Sequence, residues 1–382
     1  MKTKLKFIFF TFFLLILNNL YSNEIIRDPI FEDYFTKISD ELKLNRTNVY
    51  LIKNKSANAF VIGDQIYITT GLFDVINYED TLKAIFLHEY GHVIKNHFES
   101  KKIKLQQYNT KYALYNLFTI SMAVLTANTD IAIGSSISLN SNLINEISKH
   151  SVNFEIEADN FMIKQLQKNR IDATELISFL NSSSEVSNKY FRTHPNNQDR
   201  INNLKELNFK KSNNSKKFEW IKSKYTNNSS IKSFNIFFKN LENGIFNQEE
   251  QFNKISREII YYEAFKKGIF VDNWNNKFEK LLKENSNSFL KIEYINYLLD
   301  NNLDDKYYTI EDLKFDKNIM NEYFYYYIYG KYYEKINKYN LSNFYFCQFY
   351  KIINFNNKAD FFCKKYDIKD VPILDKSYAL FK

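Results

Sequence analysis

The deciding stretch of this chain is IFLHEYGHVIKNHF, residues 85–98. His88 and His92 are four positions apart, so in a helix they lie ~40° from each other around the axis, one turn along. Both imidazoles can therefore reach one zinc ion from the same helix face. Glu89 stands beside them and can contact a metal-bound water. Zinc lowers the pKa of such a water, and we predict that Glu89 takes its proton and passes it to a leaving amine.

The segments around this motif predict an α+β fold that is mostly helical with a small β-sheet. A helix should run from about Asp80 to Phe98. Upstream, the apolar spacing is helical over residues 30–44. It is strand-like over three short segments, Val49–Ile52, Phe60–Ile62 and Ile66–Thr69. Downstream, two further helices are predicted, over 143–167 and 173–181.

A catalytic zinc needs a third protein ligand and one open position. A third histidine further along the same helix would need a glycine and a histidine where this chain has Lys95 and Phe98. His97 lies ~140° around the helix from His92, so we predict that it faces away from the metal as a structural residue. A glutamate should then serve, and the candidates between 100 and 160 are Glu146, Glu155 and Glu157.

The segment EIEAD, residues 155–159, places two carboxylates on one face of a predicted helix. Asp159 lies one turn after Glu155 and could orient a ligating histidine through a hydrogen bond. Glu157 lies ~200° around the helix from Glu155, so we predict that it is solvated or structural. Without the HEYGH motif, this segment would be interpreted as an ordinary acidic helix face.

The segment FRTHPNNQDR, residues 191–200, supplies one more histidine. In a loop, His194 could stabilise the oxyanion of the tetrahedral intermediate or bind zinc as a fourth ligand when substrate is absent. Arg200, six residues on, is a candidate for supporting the site from behind the ligands. A surface loop that precedes a helix is the alternative interpretation.

HEYGH, EIEAD and THPNNQDR occur in this order behind the strand segment NAFVIGDQIYITTGL of residues 58–72. Over about residues 30–205, this resembles the HtpX/CAAX-prenyl-protease peptidase family, in particular its exported BepA-like members. The resemblance implies a zincin-like domain and a zinc metalloendopeptidase of the HExxH-plus-glutamate (gluzincin) type. It implies a single zinc ion per chain, Glu89 as general base, Asp159 as support, and as ligands His88, His92 and Glu155.

The resemblance implies two further roles. His194 matches a histidine that is thought to approach the zinc and gate access in BepA-like members. The strand Ile66–Thr69 would be an edge of the sheet that pairs with an extended substrate. Its residues Ile66, Tyr67 and Ile68 would then bind the substrate. One departure is that the family commonly has a Ser-Arg pair shortly before the EIEAD-type motif, where this chain has Ser151 and Val152. An ion pair could be lost there, but no metal ligand is.

The N-terminus predicts export. Residues 1–22 have the pattern of a signal peptide, with lysines, the apolar run Phe7–Leu17 and a small residue at Ser22. An uncleaved N-terminal anchor is the alternative, and it also predicts export; the resemblance implies a periplasmic location. An exported compartment permits a disulfide between Cys347 and Cys363, but two free thiols are an equally good interpretation.

Residues 113–137 are apolar and small, but Asn116, Asn128 and Asp130 interrupt them. A membrane span needs about 20 predominantly apolar residues, so we predict a hydrophobic hairpin or lid on the catalytic body, which leaves peripheral membrane contact open. The formal net charge is +8 and no dense Lys/Arg stripe occurs, so binding to nucleic acid is not predicted.

The polar stretch Lys210–Lys217 marks the predicted boundary between a metalloprotease domain, residues 23–209, and an all-helical domain, residues 218–382. One degenerate tetratricopeptide-like unit fits the spacing of Tyr326, Gly330, Tyr333 and Phe346. A plain helical bundle is the alternative. Either surface would suit a protein partner.

Three functions remain open from the sequence. The first is a protease that acts on unfolded, misfolded or misassembled exported proteins, because extended segments suit an edge-strand cleft. The second is an adaptor or chaperone-like protein whose zinc site is mostly closed by His194. The third is an integral-membrane protease anchored by residues 113–137.

Overall fold

The computed structural model describes these residues of the chain: 24–45, 47–100, 152–181, 198–207, 209–226, 239–240, 243, 257–266, 274–284, 287–302, 323–352 and 356–371. The predicted signal peptide of residues 1–22, the predicted hydrophobic hairpin of residues 113–137 and His194 lie outside them. Within these ranges, no helix is long and apolar enough to span a membrane.

The N-terminal half confirms the α+β class. In chain order, its described strands and helices are β1 Glu24–Ile26, α1 Pro29–Glu41, β2 Val49–Lys53, β3 Ala59–Ile62, β4 Gln65–Thr69, α2 Leu72–Val75, α3 Glu79–Ile94, α4 Val152–Asn169, α5 Thr174–Asn181 and α6 Gln198–Lys205. The positions of β2, β3 and β4 agree with the sequence prediction, since β-branched and aromatic residues favour strands, whereas β1 was not predicted.

The four strands form one sheet in the order β1-β2-β4-β3. Strand β4 pairs in parallel with β2 and antiparallel with β3. The predicted edge position of this strand is therefore wrong. Because both of its sides are already hydrogen-bonded, the backbone at Ile66, Tyr67 and Ile68 offers no free edge to a substrate. Among the described strands, the edges of the sheet are β1 and β3.

Helix α3 carries the HEYGH motif through the middle of the domain. It packs against β3 and β4 and against α4, and it is buried on every face from Glu79 to His92 except at Lys83. A helix in such a position is usually apolar all round, so the buried polar residues of α3, His88, Glu89 and His92 among them, need partners within the protein. The functional side chains are thus held by a fully packed element, which fixes their directions.

The N-terminus of α3 is held by side chains from distant segments. The carboxylate of Glu175, on α5, accepts hydrogen bonds from the backbone N–H of Asn77 at 2.9 Å and of Tyr78 at 3.0 Å. The amide oxygen of Asn214 accepts the N–H of Glu79 at 2.9 Å. These contacts satisfy N–H groups that a helix leaves without partners at its start, and an anionic partner suits the helix dipole.

The regular secondary structure of the C-terminal half is helical within its described residues. Its helices are α7 Lys216–Tyr225, α8 Arg257–Lys266, α9 Trp274–Glu284, α10 Ser288–Asp300, α11 Tyr323–Lys335, α12 Tyr339–Ile352 and α13 Asn356–Cys363, followed by a 3₁₀ turn, Ile368–Asp370. Cys347 and Cys363 form a disulfide between α12 and α13, which decides the alternative that the sequence left open.

Helices α11 and α12 form a closely packed pair. A Cβ atom at Gly330 would lie 2.8 Å from ring atoms of Phe346, closer than packed carbon atoms normally approach. A close approach of the two helices therefore explains why this glycine and this aromatic residue occur at their spacing. The tetratricopeptide-like repeat itself stays a prediction.

Charged side chains join the two halves. Lys224, on α7, lies 2.9 Å from the carboxylate of Asp28, which precedes α1, and 2.6 Å from that of Glu263, on α8. The side-chain amide of Asn287 donates to the backbone carbonyl of Pro29 at 3.0 Å. Residues beyond the predicted boundary thus pack on the first helix of the N-terminal half.

Candidate metal centre

Three potential ligands converge where α3 crosses α4. The Nε2 atoms of His88 and His92 are 3.2 Å apart, and the two carboxylate oxygens of Glu155 lie 3.3 Å from His88 Nε2 and 3.4 Å from His92 Nε2. All three residues are buried. The structure therefore brings together the three residues that the sequence and the resemblance pointed to, and it places Glu157 elsewhere.

The spacing of these atoms suits a tetrahedral zinc site. Zinc binds imidazole nitrogen and carboxylate oxygen at about 2.0–2.2 Å, so neighbouring ligand atoms of a tetrahedron lie about 3.3–3.6 Å apart. The two histidine nitrogens are 3.2 Å apart, and each lies at a similar distance, 3.3 or 3.4 Å, from a different oxygen of Glu155, so these distances are close to this value. Two imidazoles and one carboxylate also leave a fourth position, as a catalytic site requires.

His88 is oriented by a carboxylate behind it. Its Nδ1 lies 2.9 Å from Oδ1 of Asp159, which itself lies 2.9 Å from Nε of Arg200. Nη2 of Arg200 lies 3.1 Å from the same His88 Nδ1, but guanidinium nitrogens only donate. The ion pair with Asp159 favours a hydrogen on Nδ1 of His88, which leaves Nε2, on the side of the other ligands, to bind a metal.

The surroundings of His88 favour its charged form in the metal-free chain. Burial and the Arg200 guanidinium lower the pKa of His88, but the hydrogen bonds and charges of Asp159 and Glu155 raise it by more, to about 9. A metal ion must displace that proton, since only neutral imidazole is a ligand.

A glycine allows the two ligand-bearing helices to approach this closely. A Cβ atom at Gly91 would lie 2.9 Å from Cα and 3.1 Å from the carbonyl oxygen of Ala158. Gly91 lies between Glu89 and His92, and Ala158 lies between Glu155 and Asp159. The small residues thus hold the contact at which the ligands from α3 and α4 meet.

His97 was expected to face away from the metal as a structural residue; it is not part of the ligand cluster, but it contacts the ligand His92, which the expectation did not include. Its Nδ1 lies 2.8 Å from Nδ1 of His92, its Nε2 lies 3.2 Å from Oε2 of Glu157, and its ring stacks on Phe154 at 4.2 Å. The expectation assumed a helix that continues to Phe98.

Helix α3 instead ends at Ile94. Asn96 has a φ of 53°, which is the left-handed conformation that commonly ends a helix. The chain changes direction at this turn, a second helical segment begins at His97, and His97 lies beside His92. An asparagine shortly after the motif is the signal that sequence reasoning could have used.

The remaining site residues are placed as follows. Glu89 lies on α3 next to His88 and is fully buried. Arg200, on α6, is also buried. The role of His194 stays a prediction, because this residue lies outside the described part of the chain.

The model of Peptidase family M48 matches residues 27–208. This segment belongs to that family. The match covers α1 to α6 and therefore every residue of the metal centre, and the family indicates a metallopeptidase. The search of curated proteins gives no match to the chain. The narrower likeness to BepA-like members stays a prediction.

Proposed function

We propose that this protein is a zinc metalloendopeptidase of the HExxH-plus-glutamate (gluzincin) type. The observation that carries the proposal is the buried convergence of His88, His92 and Glu155 at tetrahedral spacing. It lies within the segment that matches the metallopeptidase family. His88, His92 and Glu155 would hold one zinc ion, whose contribution when bound is to polarise a peptide carbonyl and to lower the pKa of a bound water.

The other side chains of this site have catalytic or supporting roles. Glu89 is the general base that accepts a proton from the attacking water and donates it to the leaving amine. Asp159 forms an ion pair with His88 at Nδ1, and Arg200 forms an ion pair with Asp159 in turn. Burial of these groups excludes water and strengthens their interactions. His194, which the sequence analysis placed in a predicted loop, would reach the site to stabilise the oxyanion or to close the fourth position.

A substrate would bind as an extended segment. Because β4 is internal, we assign this role to β3, the edge strand that packs on α3. Pairing with an edge strand uses backbone hydrogen bonds and so tolerates many sequences. This suits unfolded or misassembled proteins, and we propose these as the substrate class.

Export to the periplasm and a role in protein quality control complete the proposal. The disulfide between Cys347 and Cys363 supports an oxidising compartment, and the signal-like pattern of residues 1–22 agrees with it. The helical C-terminal half is proposed to recruit a protein partner or the substrate, and contact with a membrane surface through residues 113–137 is part of the proposal.

Glu89→Gln tests the function. The change removes the base but keeps the size of the side chain, so we expect zinc to remain bound and cleavage of unfolded casein to fall by at least about 100-fold. Glu41→Gln makes the same change at an exposed residue and should leave cleavage unchanged. Zinc binding by the wild-type chain without any cleavage would instead favour the adaptor function. Equal cleavage by wild type and Glu89→Gln would contradict the proposed mechanism.

A further inference from the structure

We propose that Glu157 and His97 form a hydrogen-bond relay that fixes the orientation and tautomer of His92, which makes His97 a positioning residue of the metal centre. The inference rests on the proposed function, because it treats His92 as a zinc ligand. It gives a role to two residues that the sequence analysis regarded as structural.

The geometry determines where each hydrogen lies. Nε2 of His92 faces the ligand cluster, 3.2 Å from Nε2 of His88 and 3.4 Å from Glu155. A neutral imidazole that binds a metal through Nε2 carries its hydrogen on Nδ1. This Nδ1–H points at Nδ1 of His97, 2.8 Å away, so that atom must be the acceptor.

The second half of the relay follows from the first. If Nδ1 of His97 accepts, the neutral ring carries its hydrogen on Nε2. That atom lies 3.2 Å from the carboxylate of Glu157, which can only accept when it is ionised. Glu157 thus fixes the tautomer of His97, and His97 fixes the tautomer of His92. Phe154 stacks flat on the His97 ring, with 7° between the planes, and holds it in position.

The relay gives the two histidine ligands similar support by different means. His88 is oriented directly by the carboxylate of Asp159. His92 is oriented by a carboxylate that acts through a second imidazole. Loss of a partner of this kind typically weakens metal affinity by about 10–100-fold.

Two substitutions of His97 separate positioning from packing. His97→Phe keeps a ring that can stack on Phe154 but removes the acceptor. His97→Asn loses the ring but places an amide oxygen near the position of Nδ1. Zinc affinity is measured by competition with a chromophoric chelator, and folding of each metal-free variant by circular dichroism. Ile94→Ala, which trims an exposed side chain in the same turn, is the control.

We expect His97→Phe to weaken zinc binding by about 10–100-fold and His97→Asn to stay within a few fold of the wild type and of Ile94→Ala. The reverse order, with Phe tolerated and Asn impaired, would show a packing role and overturn the inference. The wild-type chain distinguishes a failure of the relay from a failure of the proposed function. If the wild type binds no zinc, the proposed function fails; if the wild type and His97→Phe bind zinc equally, only the relay fails.

The contribution of Glu157 is tested in a double-mutant cycle. Glu157→Ala alone should weaken zinc binding less than His97→Phe, because Glu157 is half exposed and water can replace its oxygen. Added to His97→Phe, it should cause no further loss, since the relay is already interrupted. Fully additive losses would show two independent effects and contradict a relay.

Discussion

At the scale of single residues, the main energetic feature of the metal centre is the negative charge of its buried carboxylates. Glu155 and Asp159 bring two carboxylates into a region where Arg200 is the cation that lies beside Asp159. A buried carboxylate is costly unless it is paired or bound to a metal. In the metal-free chain, His88 meets this need by holding a proton, and a divalent ion would take over from it.

Zinc binding should therefore depend on pH. The pKa of His88 in the metal-free chain is raised to about 9, so at pH 7 zinc competes with a bound proton. As the pH rises towards 9 this competition disappears, and we expect the affinity for zinc to increase by up to about tenfold per unit and to level off above pH 9. Chelator competition between pH 6 and 10, corrected for protonation of the chelator, measures the affinity for zinc. A flat profile between pH 7 and 9 would contradict this account of His88.

Individual residues also show what the sequence could and could not predict. The spacing within HEYGH was enough to place His88 and His92 on one helix face, because a helix fixes that geometry locally. The position of His97 depended on where the helix ends, and a single residue in a left-handed conformation, Asn96, decided it. The choice of Glu155 over Glu157 depended on how two helices cross, and only the resemblance indicated it.

At the scale of elements, the site depends on the contact between α3 and α4. Each helix supplies ligands, and neither holds a complete set. The absence of a side chain at Gly91 lets the backbone of α4 at Ala158 come within contact distance. The distances within the metal centre are therefore set by helix packing.

Gly91→Ala should damage the site while leaving its ligands in the sequence. The added methyl group would lie 2.9 Å from backbone of α4, which cannot yield as a flexible side chain can, so the helices must separate. Overpacking of this kind costs about 1–3 kcal/mol of stability, and we expect a clear loss of bound zinc, measured by elemental analysis. Lys95→Ala, at an exposed residue just after α3, is the control. Full zinc content in Gly91→Ala would show that the helix contact does not set the ligand distances.

The sheet shows the same limit of sequence reasoning at this scale. The apolar patterns at 49–52, 60–62 and 66–69 correctly predicted three strands, because alternation along a strand is a local property. The order of strands in a sheet arises from contacts between distant residues. The parallel pairing of β2 with β4, which places β4 inside the sheet, could not be derived from spacing.

At the scale of the whole molecule, the C-terminal helices are fastened to the N-terminal half by charges that are largely withdrawn from water. Asp28 is fully buried and Glu263 nearly so, and Lys224 lies between them. Burial lowers the pKa of Lys224, but the carboxylates of Asp28 and Glu263 raise it by more. The lysine therefore stays charged, and its single positive charge is shared between two carboxylates from different parts of the chain.

Lys224→Met should destabilise the whole protein. The substitution keeps most of the side-chain volume but leaves Asp28 and Glu263 without their shared cation, and breaking a buried pair costs about 3–5 kcal/mol. Urea unfolding measures the change. Lys331→Met, which removes an ion pair with the half-exposed Asp300, should cost no more than about 1 kcal/mol. Equal and small effects of the two substitutions would contradict a structural role for the buried network.

The most direct test of the account is the zinc content of the purified wild-type chain and of Glu155→Ala, measured by elemental analysis, with Glu41→Ala as a control at an exposed carboxylate. We expect about one zinc per chain in the wild type and the control, because the three ligands form a single metal site. Glu155→Ala should retain far less. Full zinc retention in Glu155→Ala, or a wild-type chain that binds none, would contradict the metal centre described here.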